Sequence, residues 1–168
     1  MPTGKEPPRG GVALLIKKAQ RRLIVAGDRG ASRDYGVALG KNWARDKTIE
    51  GDLATPEGEF YVCAKNPRSK YVRSLALSYP NTEDAARGLE IGLISAAEHG
   101  AILAAIRDRS MPPQHTKLGG EIYIHGGNDG RRVAGAADWT RGCIALDDLD
   151  MLELYERVPL GTTVLIVP

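Results

Sequence analysis

A histidine and a cysteine, separated by 17 intervening residues, are the side chains in this sequence best suited to covalent chemistry. His125 closes the apolar run Ile122-Tyr123-Ile124 and is followed by Gly126 and Gly127. Cys143 ends the segment Asp138-Trp139-Thr140-Arg141-Gly142 and precedes Ile144-Ala145-Leu146. A thiol is a weak nucleophile until a base takes its proton, and an imidazole can do so near neutral pH. Cys143 is therefore the candidate nucleophile. His125 is the candidate base, holding the proton as an imidazolium and returning it to the leaving group. Glycines beside both residues let backbone N–H groups approach whatever the sulfur attacks, so the N–H groups of Gly142 and Cys143 are expected to stabilise an oxyanion. Together these residues read as a cysteine acyl-transfer centre.

The neighbours admit two readings each. Thr140 bonds within the cysteine turn or simply stabilises it. Arg141 offers a guanidinium fork to a substrate carboxylate or is a solvated surface residue. Trp139 walls a pocket or packs inward. Gly127 and Asn128 are further candidates for substrate contact. Cys63, in the strand-like Phe60–Ala64, is expected to be a small buried hydrophobe; the alternative, a Cys63–Cys143 disulfide, would silence the nucleophile. No CxxC or HExxH spacing is present, so no metal site is expected, and His99 and His115 take no chemical role.

The same stretches resemble the L,D-transpeptidase catalytic domain (YkuD-like) family. His-Gly, a spacer of this size and Thr140-Arg141-Gly142-Cys143 carry the resemblance. Gly51-Asp52-Leu53-Ala54-Thr55-Pro56-Glu57-Gly58, Leu118-Gly119-Gly120 and the tail Val158–Val164 extend it over residues 12–167. The resemblance implies attack by Cys143 on an L-centre carbonyl of a peptidoglycan stem tetrapeptide, release of D-Ala, and transfer to an amine without any cofactor. It also implies that the Gly126 carbonyl fixes the His125 tautomer, so no third carboxylate is needed. Hydrolysis on the same site, as an L,D-carboxypeptidase or amidase, stays open. Many members carry Arg or Asn where this chain has Ala145. Papain-like and NlpC-like enzymes place the cysteine first, and sortases use a longer spacing. An inactive wall-binding module is the non-enzymatic alternative.

Around these residues the pattern predicts a β-rich α+β domain: mixed sheets or a sandwich with two or three short helices. Residues 1–10 are expected to be disordered and residues 11–168 to form the catalytic domain. Val12–Ile16, Arg22–Ala26, Tyr35–Leu39, Phe60–Ala64 (stopped by Asn66-Pro67), Ser74–Ser78, Glu121–Ile124 and Thr162–Val167 read as strands. Helices are expected after Asn81 or Thr82, after the capping box Ser95-Ala96-Ala97-Glu98, and over Asp148–Glu156 capped by Asp147.

Apolar residues make up 42% of the chain, aromatic residues 5%, and the net charge is +2 with both signs interspersed, which does not suggest nucleic-acid binding. The cluster Lys17, Lys18, Arg21 and Arg22 is expected at a solvated hairpin tip. No apolar run approaches a membrane span, and residues 1–16 do not read as a secretory leader. A peptidoglycan enzyme works outside the cytoplasm, so export by another route, delivery as an effector, or prior trimming is expected. A monomer is the default.

Overall fold

The computed structural model describes residues 11–27, 32–129 and 138–168. The expected disorder of residues 1–10 lies outside them. Eight strands and three helices follow in the order β1 (Ala13–Lys17), β2 (Arg22–Ala26), β3 (Arg33–Gly36), β4 (Gly58–Ser69), β5 (Val72–Leu77), α1 (Thr82–Glu90), α2 (Ala96–Arg107), β6 (Tyr123–His125), β7 (Ile144–Ala145), α3 (Asp148–Arg157) and β8 (Thr163–Val167).

The strands form one mixed sheet in the order β3-β2-β1-β8-β4-β5-β6-β7. Only β1–β8 and β6–β7 are parallel. Alternation explains the inward face. Leu14 and Ile16 of β1 lie opposite Val164 and Ile166 of β8, all four are buried, and the intervening Leu165 is exposed. Each such side chain contributes roughly 1.5–3 kcal/mol on leaving water. Met151 and Leu154 of α3 join the same core, while Ala85, Ile94, Ile102 and Leu118 form a second cluster with α1 and α2.

The sheet curls until its ends meet. Beyond β3, Ala38 exchanges both backbone hydrogen bonds with Ala145 of β7, each 2.9 Å. Thr140 N–H donates to Leu39 O, and Lys41 N–H to Thr140 O. The cysteine turn therefore sits in the seam between the two sheet ends.

Both expected capping boxes form, Asn81 with Asp84 at α1 and Ser95 with Glu98 at α2. Asp147 does not cap α3 through its side chain; the Asp148 N–H instead donates to Asp129 Oδ1 at 2.7 Å. Asn66-Pro67 does not stop β4, because the strand passes it with a register irregularity before Ser69.

The basic cluster is not uniformly solvated. Lys18 is wholly buried, its ammonium bonded to Arg45 O, Thr55 O and Glu57 Oε1. Three oxygens replace its water shell, which is why burial is tolerated. Arg21 grips both carboxylate oxygens of Asp138 and lies 3.8 Å from the Trp43 ring centre. Cys63 is half-buried, donates to Ala76 O at 3.5 Å, and is free, as is Cys143.

Candidate active site

Cys143 is held from both sides of its turn. The buried Thr140 hydroxyl donates to Cys143 O at 2.7 Å and accepts from Gly142 N–H at 3.1 Å. Gly142 has φ +137°, and a Cβ there would lie 2.7 Å from Ala54 O. Only glycine fits that approach of the Asp52–Glu57 segment. The segment is itself fixed: Asp52 accepts from the N–H groups of Thr48, Ile49 and Ala54 and from Lys47 Nζ, and Thr55 Oγ1 accepts from Gly40 N–H. The Gly142 N–H is held within the turn by the Thr140 hydroxyl.

The Cys143 sulfur receives the Tyr123 N–H at 3.4 Å and donates to Glu121 O at 3.4 Å. Burial pushes its pKa up to about 11, so the thiol rests protonated. His125 ends β6, where the parallel ladder sets it opposite Ala145. Its Nδ1 pairs with Gly126 O at 2.6 Å, the partner implied by the family resemblance. A carbonyl can only accept, so Nδ1 carries the proton and Nε2 is left as the basic nitrogen. Burial holds the imidazole below its ordinary 6.5; the Gly126 bond opposes that shift and the Lys70 ammonium adds to it. Burial thus disfavours the charged form of each group.

Tyr71, in the turn between β4 and β5, was not legible as a site residue. Its ring stacks on His125 at 4.3 Å between centroids and 19° between planes. Trp139 meets both rings edge-on, at 5.8 Å from His125 and 6.0 Å from Tyr71. This packing is what the two glycines permit. A Cβ at Gly127 would lie 2.7 Å from Tyr71 Cδ1, and one at Gly126 would lie 2.6 Å from Tyr71 O. The only sequence signal was the Gly126-Gly127 pair, which marks a close approach without naming the partner.

Cys143, His125, Trp139, Thr140 and Arg141 line one cleft of about 1120 Å³. Glu50, Glu121 and the unassigned His115 line it as well, with Arg68 and Lys70 from the hairpin. Gly126, Gly127 and Asn128 do not. Asn128 is buried behind the site, where its Oδ1 accepts from Trp139 Nε1 at 2.9 Å and its Nδ2 donates to Asp147. Gly127 makes room for the Tyr71 ring, and Asn128 fixes Trp139. Ala145 is fully buried in the seam and also faces no cleft. Among the described residues no group of three or more His, Cys, Asp or Glu side chains is disposed to hold a metal ion.

Comparison with known proteins gives this arrangement a context. The sequence pattern of the L,D-transpeptidase catalytic domain family (YkuD) matches residues 11–166. YqjB of Bacillus subtilis (strain 168), which carries an L,D-transpeptidase name, is 26% identical over 165 residues, 98% of this chain and 76% of that protein. The crystal structure of the helical cell shape determining protein Pgp2 from Campylobacter jejuni superposes with a TM-score of 0.59 at 27% identity, covering 92% of this chain. This chain spans only 46% of Pgp2. An L,D-transpeptidase from Mycobacterium smegmatis shares the fold, with a TM-score of 0.54 at 15% identity over 94% of this chain and 58% of that one.

Proposed function

Given that this chain belongs to the L,D-transpeptidase catalytic domain (YkuD) family, we propose that it is a peptidoglycan acyltransferase whose nucleophile is Cys143 and whose base is His125. The observation that carries this reading is the hydrogen bond from His125 Nδ1 to Gly126 O. It fixes the tautomer with Nε2 basic, in the cleft that also holds the Cys143 thiol.

On this reading the proton moves as the bond forms. His125 Nε2 takes the thiol proton while the sulfur attacks the carbonyl of the L-centre in a stem tetrapeptide. The imidazolium then gives that proton to the departing amine, D-Ala leaves, and a thioester to the peptide remains. An amine acceptor attacks the thioester and passes its proton back through His125, which restores the thiol. The backbone N–H groups of Gly142 and Cys143 are the donors proposed for the oxyanion, with the Tyr123 N–H, directed at the sulfur, beside them. One such donor contributes about 10²–10³ in rate. Arg141, Arg68 and Lys70 on the cleft wall suit carboxylates of a peptide substrate. Cross-linking peptidoglycan places the reaction outside the cytoplasm; no helix among the described residues is long and apolar enough to cross a membrane.

Intact-protein mass after incubation with a meso-diaminopimelate tetrapeptide tests the proposal. A tripeptidyl adduct is expected on the wild type and not on Cys143→Ala, with cross-linked product when an amine is added. Free tripeptide and D-Ala alone would reassign the site to hydrolysis. An adduct surviving Cys143→Ala would overturn the mechanism.

A further inference from the structure

The hydrogen bond that orients His125 does not end at Gly126. The same peptide unit whose carbonyl accepts from Nδ1 presents its N–H, that of Gly127, to Asp148 Oδ1 at 2.7 Å. A carboxylate, a peptide group and an imidazole thus lie in series. Asp148 is the first residue of α3, and its own N–H is held by Asp129 Oδ1 at 2.7 Å. The preceding peptide is anchored separately, because Gly126 N–H donates to Tyr71 O at 3.0 Å. Gly126 and Gly127 are therefore pinned from both sides, by the hairpin and by α3.

Resting on the reading of His125 as the base, we propose that Asp148 is a positioning residue that acts on His125 through the Gly126–Gly127 peptide, as a carboxylate relayed by an amide. A carboxylate on an amide N–H pulls that proton and loads electron density onto the carbonyl oxygen. The carbonyl becomes a stronger acceptor for Nδ1–H and a better support for the imidazolium formed as Cys143 attacks. The chain thereby obtains part of what a directly bonded aspartate would supply, while the imidazole contacts only an uncharged group. Among the described residues, the charged and titratable groups around the ring are Lys70 and Tyr71 from the hairpin, Cys143 from the seam turn, and Asp148 from α3. Lys70 opposes the imidazolium, and Asp148 acts in the favourable sense.

Asp148→Asn tests this, since an amide oxygen of the same shape can still accept from Gly127 N–H but carries no charge. His125 is followed by NMR in the protein without substrate, which separates this test from the question of what the enzyme acylates. The His125 titration midpoint is expected to fall by about half a pH unit, because a weaker acceptor favours the neutral ring. The Nδ1 proton resonance is expected to move upfield. With the tetrapeptide, kcat should fall about tenfold with KM little changed. A midpoint and Nδ1 resonance identical to wild type, in a variant with wild-type urea midpoint, would overturn the relay. Should Asp148→Asn not fold, Asp148→Ser provides the same comparison. If the relay holds but wild-type Cys143 is never acylated, the proposed function fails and the relay stands.

Discussion

At the scale of single residues, the site is defined by groups kept neutral. A thiol raised to about 11 beside an imidazole lowered below 6.5 has a wide window in which neither is charged. Alkylation of Cys143 by iodoacetamide should therefore rise steadily with pH toward about 11. A preformed ion pair would instead level off by neutrality. Acylation by substrate should lose activity only on the acid side, through a His125 midpoint below 6.5, where the base becomes protonated. Asn128 acts at one remove: Asn128→Ala leaves Trp139 Nε1 without its acceptor and opens a buried polar gap. The expected cost is ~1–2 kcal/mol in urea unfolding, together with a lower kcat as the wall beside Tyr71 and His125 loosens. The proposed nucleophile and base were legible from residue type and spacing, and the fold brings both to one cleft. Tyr71 was not, because it reaches the site from a distant hairpin, and Asp148 was not, because its contact is with a backbone N–H; neither leaves a periodic signal.

At the scale of elements, the cysteine turn is immobilised by ion pairs outside the cleft. Asp138 receives Arg21 on both oxygens and the Leu39 N–H on one, which ties the β1–β2 hairpin to the residue that begins the turn. Arg21→Ala should reduce activity while leaving Cys143 alkylation by a small reagent nearly unchanged, since the thiol stays and its alignment is lost. Its stability cost should be about 1–2 kcal/mol, measured by urea unfolding. In the capping box of α1, burial raises the Asp84 carboxyl from 3.8 to about 6, with Asn81 and Arg87 opposing. The folded value exceeds the unfolded one, so this group's contribution is fully present below about pH 4, declines as pH rises, and is constant above about 6. The decline should be about 3 kcal/mol in urea unfolding, and Asp84→Asn should remove that part of the pH dependence. Helix starts could be read because their caps are local in sequence, as at Asn81 and Ser95. Strand ends could not. Asn66-Pro67 looked like a stop, but pairing across β4–β5 carries the chain past it, and β7 is too short for any alternation to show.

At the scale of the whole molecule, stability and function depend on pairing between the two ends of the sequence. Ile166 of β8 is buried against Ile16 of β1 in a fully packed core. Ile166→Ala should cost ~2–5 kcal/mol in urea unfolding. The fold class was legible because many short apolar runs, two or three short helices and no βαβ rhythm leave few alternatives. The closure of the sheet was not, since Ala38 and Ala145 carry no mark of their partnership.

That long-range pairing has a consequence in time. Ala13 pairs with Thr163, 150 positions later, so the middle of the sheet is joined only when the last strand arrives. Synthesis delivers β1 first and β8 last, and such non-local pairing forms slowly. Until β8 docks, β1, β2 and β3 are not joined through the sheet to the strands that carry His125, and the seam against Cys143 has no fixed second side. On the proposed reading, the nascent chain carries two ordinary side chains where the finished protein would carry a catalyst, and acylating power would be the last property it acquires.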